Sequence, residues 1–122
     1  IAVWQIRVGQ QTQREASARD AFKEYLKLAM EKPELAEPSL GTVSDSGVES
    51  SRYSWFVSYF LFSAEQIHLS FPNDSEWSAA LSNQICYHRE YLKGSEYQTT
   101  LKTHYAPSFV AFVDQSVGRC QN

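Results

Sequence analysis

Apolar residues are densest in the segment Arg52–Phe71, where they fall on nearly every side of a predicted helix. They are Trp55, Phe56, Val57, Tyr59, Phe60, Leu61 and Phe62. A helix that is apolar all round is normally buried all round, so we expect this one to be the central, most buried helix of a bundle. Polar residues interrupt it too often for a membrane span, which needs roughly 20 mostly apolar residues. The polar positions lie near one line, which leaves one edge able to meet water or a partner; they are Ser54, Ser58, Glu65 and His68.

A second helical pattern covers about residues 4–32, with apolar residues recurring at helical spacing from Ala16 to Ala29. Within it, the segment Gln10–Arg14 has few apolar residues and is expected to be solvated unless a neighbouring chain packs on it. The helix should end before Pro33, because proline disfavours helical backbone in the residue that precedes it.

Two segments rich in turn-forming residues separate this helix from the central one. Residues 33–38 are predicted to be a short turn between two prolines, and Ser39–Ser51 has the glycine and serine content of a loop. Ser50 or Ser51 is then placed to cap the central helix, its hydroxyl accepting from an unpaired backbone N–H.

The next predicted helix covers residues 76–93, with Asn73 or Asp74 as its cap. Its buried face is predicted to consist of Trp77, Leu81, Ile85, His88 and Leu92. Gly94 stands where the end of a helix often needs a left-handed residue.

A short helix over residues 96–104 is predicted next, and a fifth begins at Pro107 and ends near Gly118. No segment shows the alternation of a strand. The sequence therefore predicts an all-α protein, one domain over 1–122 folded as a small bundle of about five helices.

Composition narrows the possible partners. The chain has 122 residues, 43% of them hydrophobic and 14% aromatic, which is typical of a single globular domain. Its net charge of -3 argues against binding to long nucleic acids, which usually need a strong basic excess. A small anionic ligand remains compatible, because a local pocket can be basic on an acidic protein.

The two cysteines, Cys86 and Cys120, are far apart and have no metal-ligand spacing. We expect free thiols, which suit the reducing cytoplasm; a disulfide between the two is the alternative.

The chain begins Ile1-Ala2-Val3-Trp4, and basic residues follow, beginning with Arg7. An apolar end, an interfacial tryptophan and then basic residues are the order expected where a membrane span enters the cytoplasm. This predicts a transmembrane segment before Ile1. An ordinary helix start with a few apolar residues accounts for the same four residues equally well.

Motifs for catalysis or metal binding are missing from the sequence. The three histidines, His68, His88 and His104, share no helical turn, so the H-E-x-x-H zinc arrangement is missing. There is also no nucleophile elbow, no phosphate loop and no C-x-x-C pair. We predict that the protein is not an enzyme and has no catalytic residue, metal site or cofactor.

The segment Tyr87–Lys93 has the densest mixture of cations and aromatic residues. Arg89 and Lys93 are four residues apart and share a helical face, so they could hold a phosphate; a solvated surface is the alternative. His88 falls on the apolar face, where a core histidine held by one hydrogen bond is the preferred interpretation and a ligand contact the other. The remaining binding candidates, with capping or surface charge as their structural alternatives, are Arg52, Lys102, His104 and Tyr105.

Several motifs together resemble the cytoplasmic part of small bacterial proteins that carry an N-terminal transmembrane segment. They are Trp4, Arg7, Arg14–Ala16, Tyr25–Leu26, Pro33–Pro38, Tyr53–Ser58, Trp77, Gln84 and Tyr87–Leu92. Within that group the chain is most similar to the membrane-anchored effectors of type III CRISPR antiviral defence. The motifs are structural, so no ligand contact is transferred from that family.

The resemblance implies a sensor domain on the cytoplasmic face of the bacterial inner membrane. It would bind a cyclic oligoadenylate, cyclic tetra-adenylate being one example, and pass the signal to the membrane segment. A symmetric homo-oligomer, expected to be a tetramer, matches such a ring because each subunit offers the same residues to each nucleotide. The competing hypothesis is a helical oligomerisation or protein–protein interaction module without a nucleotide site.

Overall fold

A computed structural model describes residues 2–38 and 47–121, with residues 2–9 described by their backbone alone. In these ranges the helices are α1 (Ala2–Glu31), α2 (Pro33–Ala36), α3 (Gly47–Ser70), α4 (Ser75–Tyr87), α5 (Arg89–Lys93), α6 (Ser95–Thr99) and α7 (Pro107–Gly118). A 3-10 turn, Leu101–His104, lies between α6 and α7. The described part contains no strand, so the all-α prediction is confirmed as a bundle of four longer helices joined by three short ones. None of the described helices is both long and apolar enough to span a membrane.

Helices α1 and α3 form an antiparallel pair at the centre of the fold. At one end Gln11 Nε2 donates to the carbonyl oxygen of Ser70 over 3.2 Å, and in the middle Ser63 Oγ donates to that of Ala21 over 3.5 Å. The segment Gln10–Arg14 is exposed, as predicted. Because Gln11 lies beside the last residue of α3, the turns of α1 that precede it run past the end of that helix.

The core is built from rings that α1 and α3 place against each other. Tyr25 is fully buried, with its ring centroid 5.0 Å from that of Phe60 and 5.6 Å from that of Phe56. Phe22 packs edge-on against Trp77 of α4 at 5.5 Å. The outer layer of the core is completed by buried residues of α4, α5, α6 and α7: Leu81, Ile85, Leu92, Tyr97, Phe109 and Val113.

Several predicted helix boundaries are confirmed. Helix α1 ends at Glu31, before Pro33, and α7 runs from Pro107 to Gly118. The cap of α4 is Asp74, whose Oδ1 accepts from the backbone N–H of Trp77 over 3.0 Å.

Other boundary predictions are wrong. The turn predicted over 33–38 contains one helical turn, α2, whose Leu35 is buried. Ser50 and Ser51 cannot cap α3, because they lie inside it and α3 begins at Gly47. The loop predicted over residues 39–51 is wrong for residues 47–51, which form the start of α3, and its residues 39–46 lie outside the described part of the chain.

The helix predicted over 76–93 is broken at His88 into α4 and α5, although its face from Leu81 to Leu92 is buried as expected. The helix predicted over 96–104 is likewise divided into α6 and the 3-10 turn. Gly94 is not left-handed, since its φ is -77°. A Cβ atom there would lie 3.1 Å from the carbonyl oxygen of Tyr91, so close backbone approach accounts for the glycine.

The expectation of free thiols is wrong, because Cys86 and Cys120 form a disulfide. Cys86 lies in the last turn of α4, and Cys120 follows the end of α7 by two residues. The two helices pack together, and the hydroxyls of Ser82 and Ser116 lie 2.8 Å apart. Helix packing thus brings together two cysteines that are 34 residues apart in the chain.

Candidate functional site: an exposed aromatic surface on α3

Within the residues that the structure describes, one side of α3 is left exposed. Four large apolar side chains there are exposed by 73%, 75%, 55% and 44%; in chain order they are Val48, Trp55, Phe62 and Leu69. They are spaced by seven residues, close to two helical turns, so they form one row. The expectation that α3 is buried nearly all round, with Trp55 in the core, is therefore wrong on this side.

A second row runs beside the first and consists of Arg52, Tyr59 and Gln66. Each of these residues follows a member of the first row by four positions. Tyr59 is also substantially exposed. Together the rows give the alternating four- and three-residue spacing that is typical of a helix packed against another helix. We call Val48, Trp55, Tyr59, Phe62 and Leu69 the α3 stripe.

The line of polar residues expected to form the open edge of this helix is instead partly covered. All four of its members are half-buried. Ser54 Oγ donates to Glu96 over 3.3 Å, and Glu65 accepts from the backbone N–H of Ala106 over 2.7 Å. The ring of His68 stacks on that of Phe112 at 5.0 Å. These contacts leave the apolar stripe as the more open side of α3.

A groove of about 550 Å³ runs beside the stripe, within the size range of small-ligand sites. One wall is formed by Leu28 at the end of α1 and Leu35 of α2, and the other by α3. Its remaining lining residues are Lys32, Arg52, Trp55, Phe56, Ser58, Tyr59 and Phe62. We call it the aromatic groove.

Two cations lie at this mainly apolar groove. Arg52 Nη1 is 3.8 Å from Glu49 Oε1, and both side chains are more than half exposed, so this ion pair contributes little to stability. Lys32 is exposed and precedes α2 directly. Arg52 was predicted from the sequence as a binding residue and Lys32 was not, because only the antiparallel packing of α1 on α3 brings the two to one groove.

A second hollow, of about 440 Å³, lies on the other side of Trp55. It is lined mainly by serine hydroxyls, from Ser50, Ser51, Ser54 and Ser58, with Gly47, Glu96 and Leu101. Trp55 therefore forms a ridge between an apolar concave surface and a polar one.

Of the other predicted ligand contacts, none lines the aromatic groove. Arg89 Nη1 donates to the carbonyl oxygen of Cys86 over 3.0 Å, which satisfies the end of α4. Lys93 is exposed at the end of α5.

The remaining predicted contacts lie in the 3-10 turn or directly after it, away from the groove. Lys102 Nζ donates to Gln98 Oε1 over 2.8 Å. His104 is exposed, and Tyr105 is half-buried with its ring centroid 5.9 Å from that of Phe109. The structure thus brings one predicted residue, Arg52, to the groove and leaves the others on other elements.

His88 is a core residue, as preferred from the sequence. It is 1% exposed, and its Nδ1 lies 2.6 Å from the hydroxyl of Tyr53. Its Nε2 has no hydrogen-bond partner among the described residues. Burial lowers the pKa of His88 to about 4, so the ring is neutral at pH 7. This burial keeps it away from any ligand bound at the surface.

No protein-family model matches the chain, and searches of curated proteins and of solved structures give no significant match. The described residues also contain no cluster of histidine, cysteine and acidic side chains that could hold a metal ion. The α3 stripe and the aromatic groove are the features of the described residues that point to a function.

Proposed function

We propose that the domain is a helical interaction module that binds an apolar helix of a protein partner along the α3 stripe. The exposed Trp55 supports this most directly. Tryptophan is among the residues that most often dominate interface energies, and here it stands in a row with helix-packing spacing. Exposed apolar surface of this continuity is typical of an interaction site.

The surroundings of the stripe favour a protein partner. The disulfide Cys86–Cys120 is typical of an oxidising compartment, which supports protein binding over the sensing of a cytoplasmic second messenger. Lys32 and Arg52 beside the groove would attract a helix with acidic residues flanking its apolar face.

A labelled synthetic helical peptide tests this function. The peptide has leucines at alternating three- and four-residue spacing and glutamates beside them, and its binding is followed by fluorescence anisotropy. We expect the wild type to bind it and a Trp55→Glu, Phe62→Glu double variant to lose binding, because buried charges replace apolar contacts. The control is Met30→Glu, which changes an exposed apolar residue outside the groove. Undiminished binding by the double variant would show that the α3 stripe is not the binding site.

A second candidate function is the sensing of a cyclic oligoadenylate, and it is favoured by the position of Arg52. In the groove this cation lies beside Trp55 and Tyr59, on which adenines could stack, and Lys32 offers a second phosphate contact. This candidate retains the expected symmetric oligomer, the membrane segment before Ile1 and the cytoplasmic face of the inner membrane.

Calorimetry with cyclic oligoadenylates tests this candidate. If the groove binds the ring, Arg52→Ala should lose most of the affinity and Arg89→Ala should keep it. The reverse result would move the site to the segment Tyr87–Lys93. No heat from any ring at high micromolar concentration would exclude the nucleotide function.

A further inference from the structure

We infer that the helix that binds the α3 stripe is α3 of a second copy of this chain, running antiparallel, so that the chain forms a two-fold dimer. The inference rests on the proposed interaction function and names its partner. It follows from three properties of the stripe: its symmetry about its own centre, its distribution of charge and its area.

The row formed by Val48, Trp55, Phe62 and Leu69 is evenly spaced, so it has the same spacing in either chain direction. Its midpoint lies between Trp55 and Phe62, so antiparallel pairing places each Trp55 against Phe62 of the other copy. The same pairing places Val48 against Leu69. Since Phe62 lines the aromatic groove, each tryptophan would lie over the groove of its partner. Such an isologous contact uses the same surface twice and closes at two copies.

The charges beside the row favour the antiparallel direction. In a parallel pair the two Arg52 side chains would lie next to each other and repel. Antiparallel pairing instead separates them along the helix by about 20 Å, at 1.5 Å per residue. It places each Arg52 near Gln66 of the other copy, which lies in the same row as Arg52 and carries no charge.

The exposed area is close to what a specific dimer requires. The uncovered parts of Trp55, Tyr59 and Phe62 offer about 400 Å², since each aromatic side chain can bury roughly 150–250 Å². With Val48 and Leu69 the stripe provides about 600 Å² per copy, against about 800 Å² per partner in a standard interface. The exposed side chains of Lys32 and Arg52, which also line the groove, add further area beyond the stripe.

Sedimentation equilibrium tests the dimer. Over about 1–200 μM, the range in which a small interface associates, the wild type should move from monomer to dimer. Trp55→Glu should weaken association by about a hundredfold or more, as expected for the loss of an interface hot spot. Met30→Glu should associate like the wild type. A dimer that is insensitive to Trp55→Glu would overturn the inference.

Cysteine cross-linking tests the direction of pairing. Because Cys86 and Cys120 are already joined to each other, Val48→Cys and Leu69→Cys introduce the only new thiols. Mixing these two variants under mild oxidation should give a covalent heterodimer, whereas Val48→Cys alone should not cross-link. Efficient cross-linking of Val48→Cys to itself would overturn the antiparallel arrangement.

The outcomes separate this inference from the proposed function. If the wild type is monomeric at the highest concentration but still binds the synthetic helical peptide, a second copy is excluded as the partner and the proposed interaction function stands. If it is monomeric and the peptide also fails to bind, both proposals are rejected.

Discussion

At the scale of single residues, Trp55 and Phe60 show how one helix gives similar side chains opposite environments. Phe60 is fully buried against Tyr25, whereas three-quarters of Trp55 is exposed. We expect Phe60→Ala to lower the free energy of unfolding by about 3–5 kcal/mol through the cavity that it leaves. Trp55→Ala should change it by less than about 0.5 kcal/mol in the monomer, as is usual for surface substitutions.

Urea denaturation at low protein concentration measures both variants without the contribution of a dimer. A loss of several kcal/mol in monomeric Trp55→Ala would contradict the exposed position of the stripe.

His88 should make the stability of the domain depend on pH. Its pKa is about 4 in the folded protein and about 6.5 in an unfolded chain, so between these values the unfolded state binds more protons. The contribution of neutral His88 to the free energy of unfolding is therefore fully present above about pH 6.5 and is lost as the pH falls towards 4. The shift in pKa corresponds to about 3 kcal/mol.

The difference between the wild type and His88→Leu isolates this contribution, since other titrating groups are common to both. Leucine has a similar volume and no charge to bury. Unfolding free energies measured at several pH values should show a shallower slope for the variant between pH 6.5 and 4. Parallel curves would show that His88 is not the titrating group.

At the scale of helices, the sequence predicted the elements whose boundaries have a local chemical cause. Pro33 and Pro107 mark the end of one helix and the start of another, and Asp74 caps a third. The break at His88 was not predictable in this way, because the apolar spacing from Leu81 to Leu92 continues through it without interruption.

The candidate site was less predictable than the elements. A nearly all-round apolar pattern indicates that most sides of α3 are buried against other helices. It does not show whether all of those helices belong to the same chain. The seven-residue spacing from Val48 to Leu69 was the available sign that one side contacts a further helix. The position of Lys32 beside Arg52 depends on the packing of α1 against α3, which no local pattern contains.

The disulfide, which joins the end of α4 to the segment after α7, should stabilise the folded domain. Cross-linking residues 34 apart restricts the unfolded chain and is worth about 2–4 kcal/mol. We expect the double variant Cys86→Ser, Cys120→Ser to unfold at lower urea concentration by a corresponding amount. Reduced wild type is the matched control and should behave like the variant. Equal stability of oxidised and reduced protein would show that the bond does not constrain the fold.

At the scale of the whole molecule, the domain combines an acidic chain with a groove whose charged lining residues are cations. The net charge is -3, whereas Lys32 and Arg52 are the charged residues that line the groove. A local positive region of this kind attracts an anion or an acidic helix equally well. The apolar stripe beside it decides between the two, because a helical partner needs that surface and a nucleotide ring uses only part of it.

Salt dependence separates the two functions in one measurement. Attraction between exposed charges is screened over about 10 Å at 0.1 M salt and about 3 Å at 1 M, whereas apolar burial is not weakened by salt. We therefore expect dimerisation through the stripe to persist between these salt concentrations and to change little in Lys32→Ala and Arg52→Ala. Binding of a cyclic oligoadenylate should instead weaken steeply with salt and fall in both variants. Dimers that dissociate as salt rises would show that charge, and not the exposed row from Val48 to Leu69, holds the two copies together.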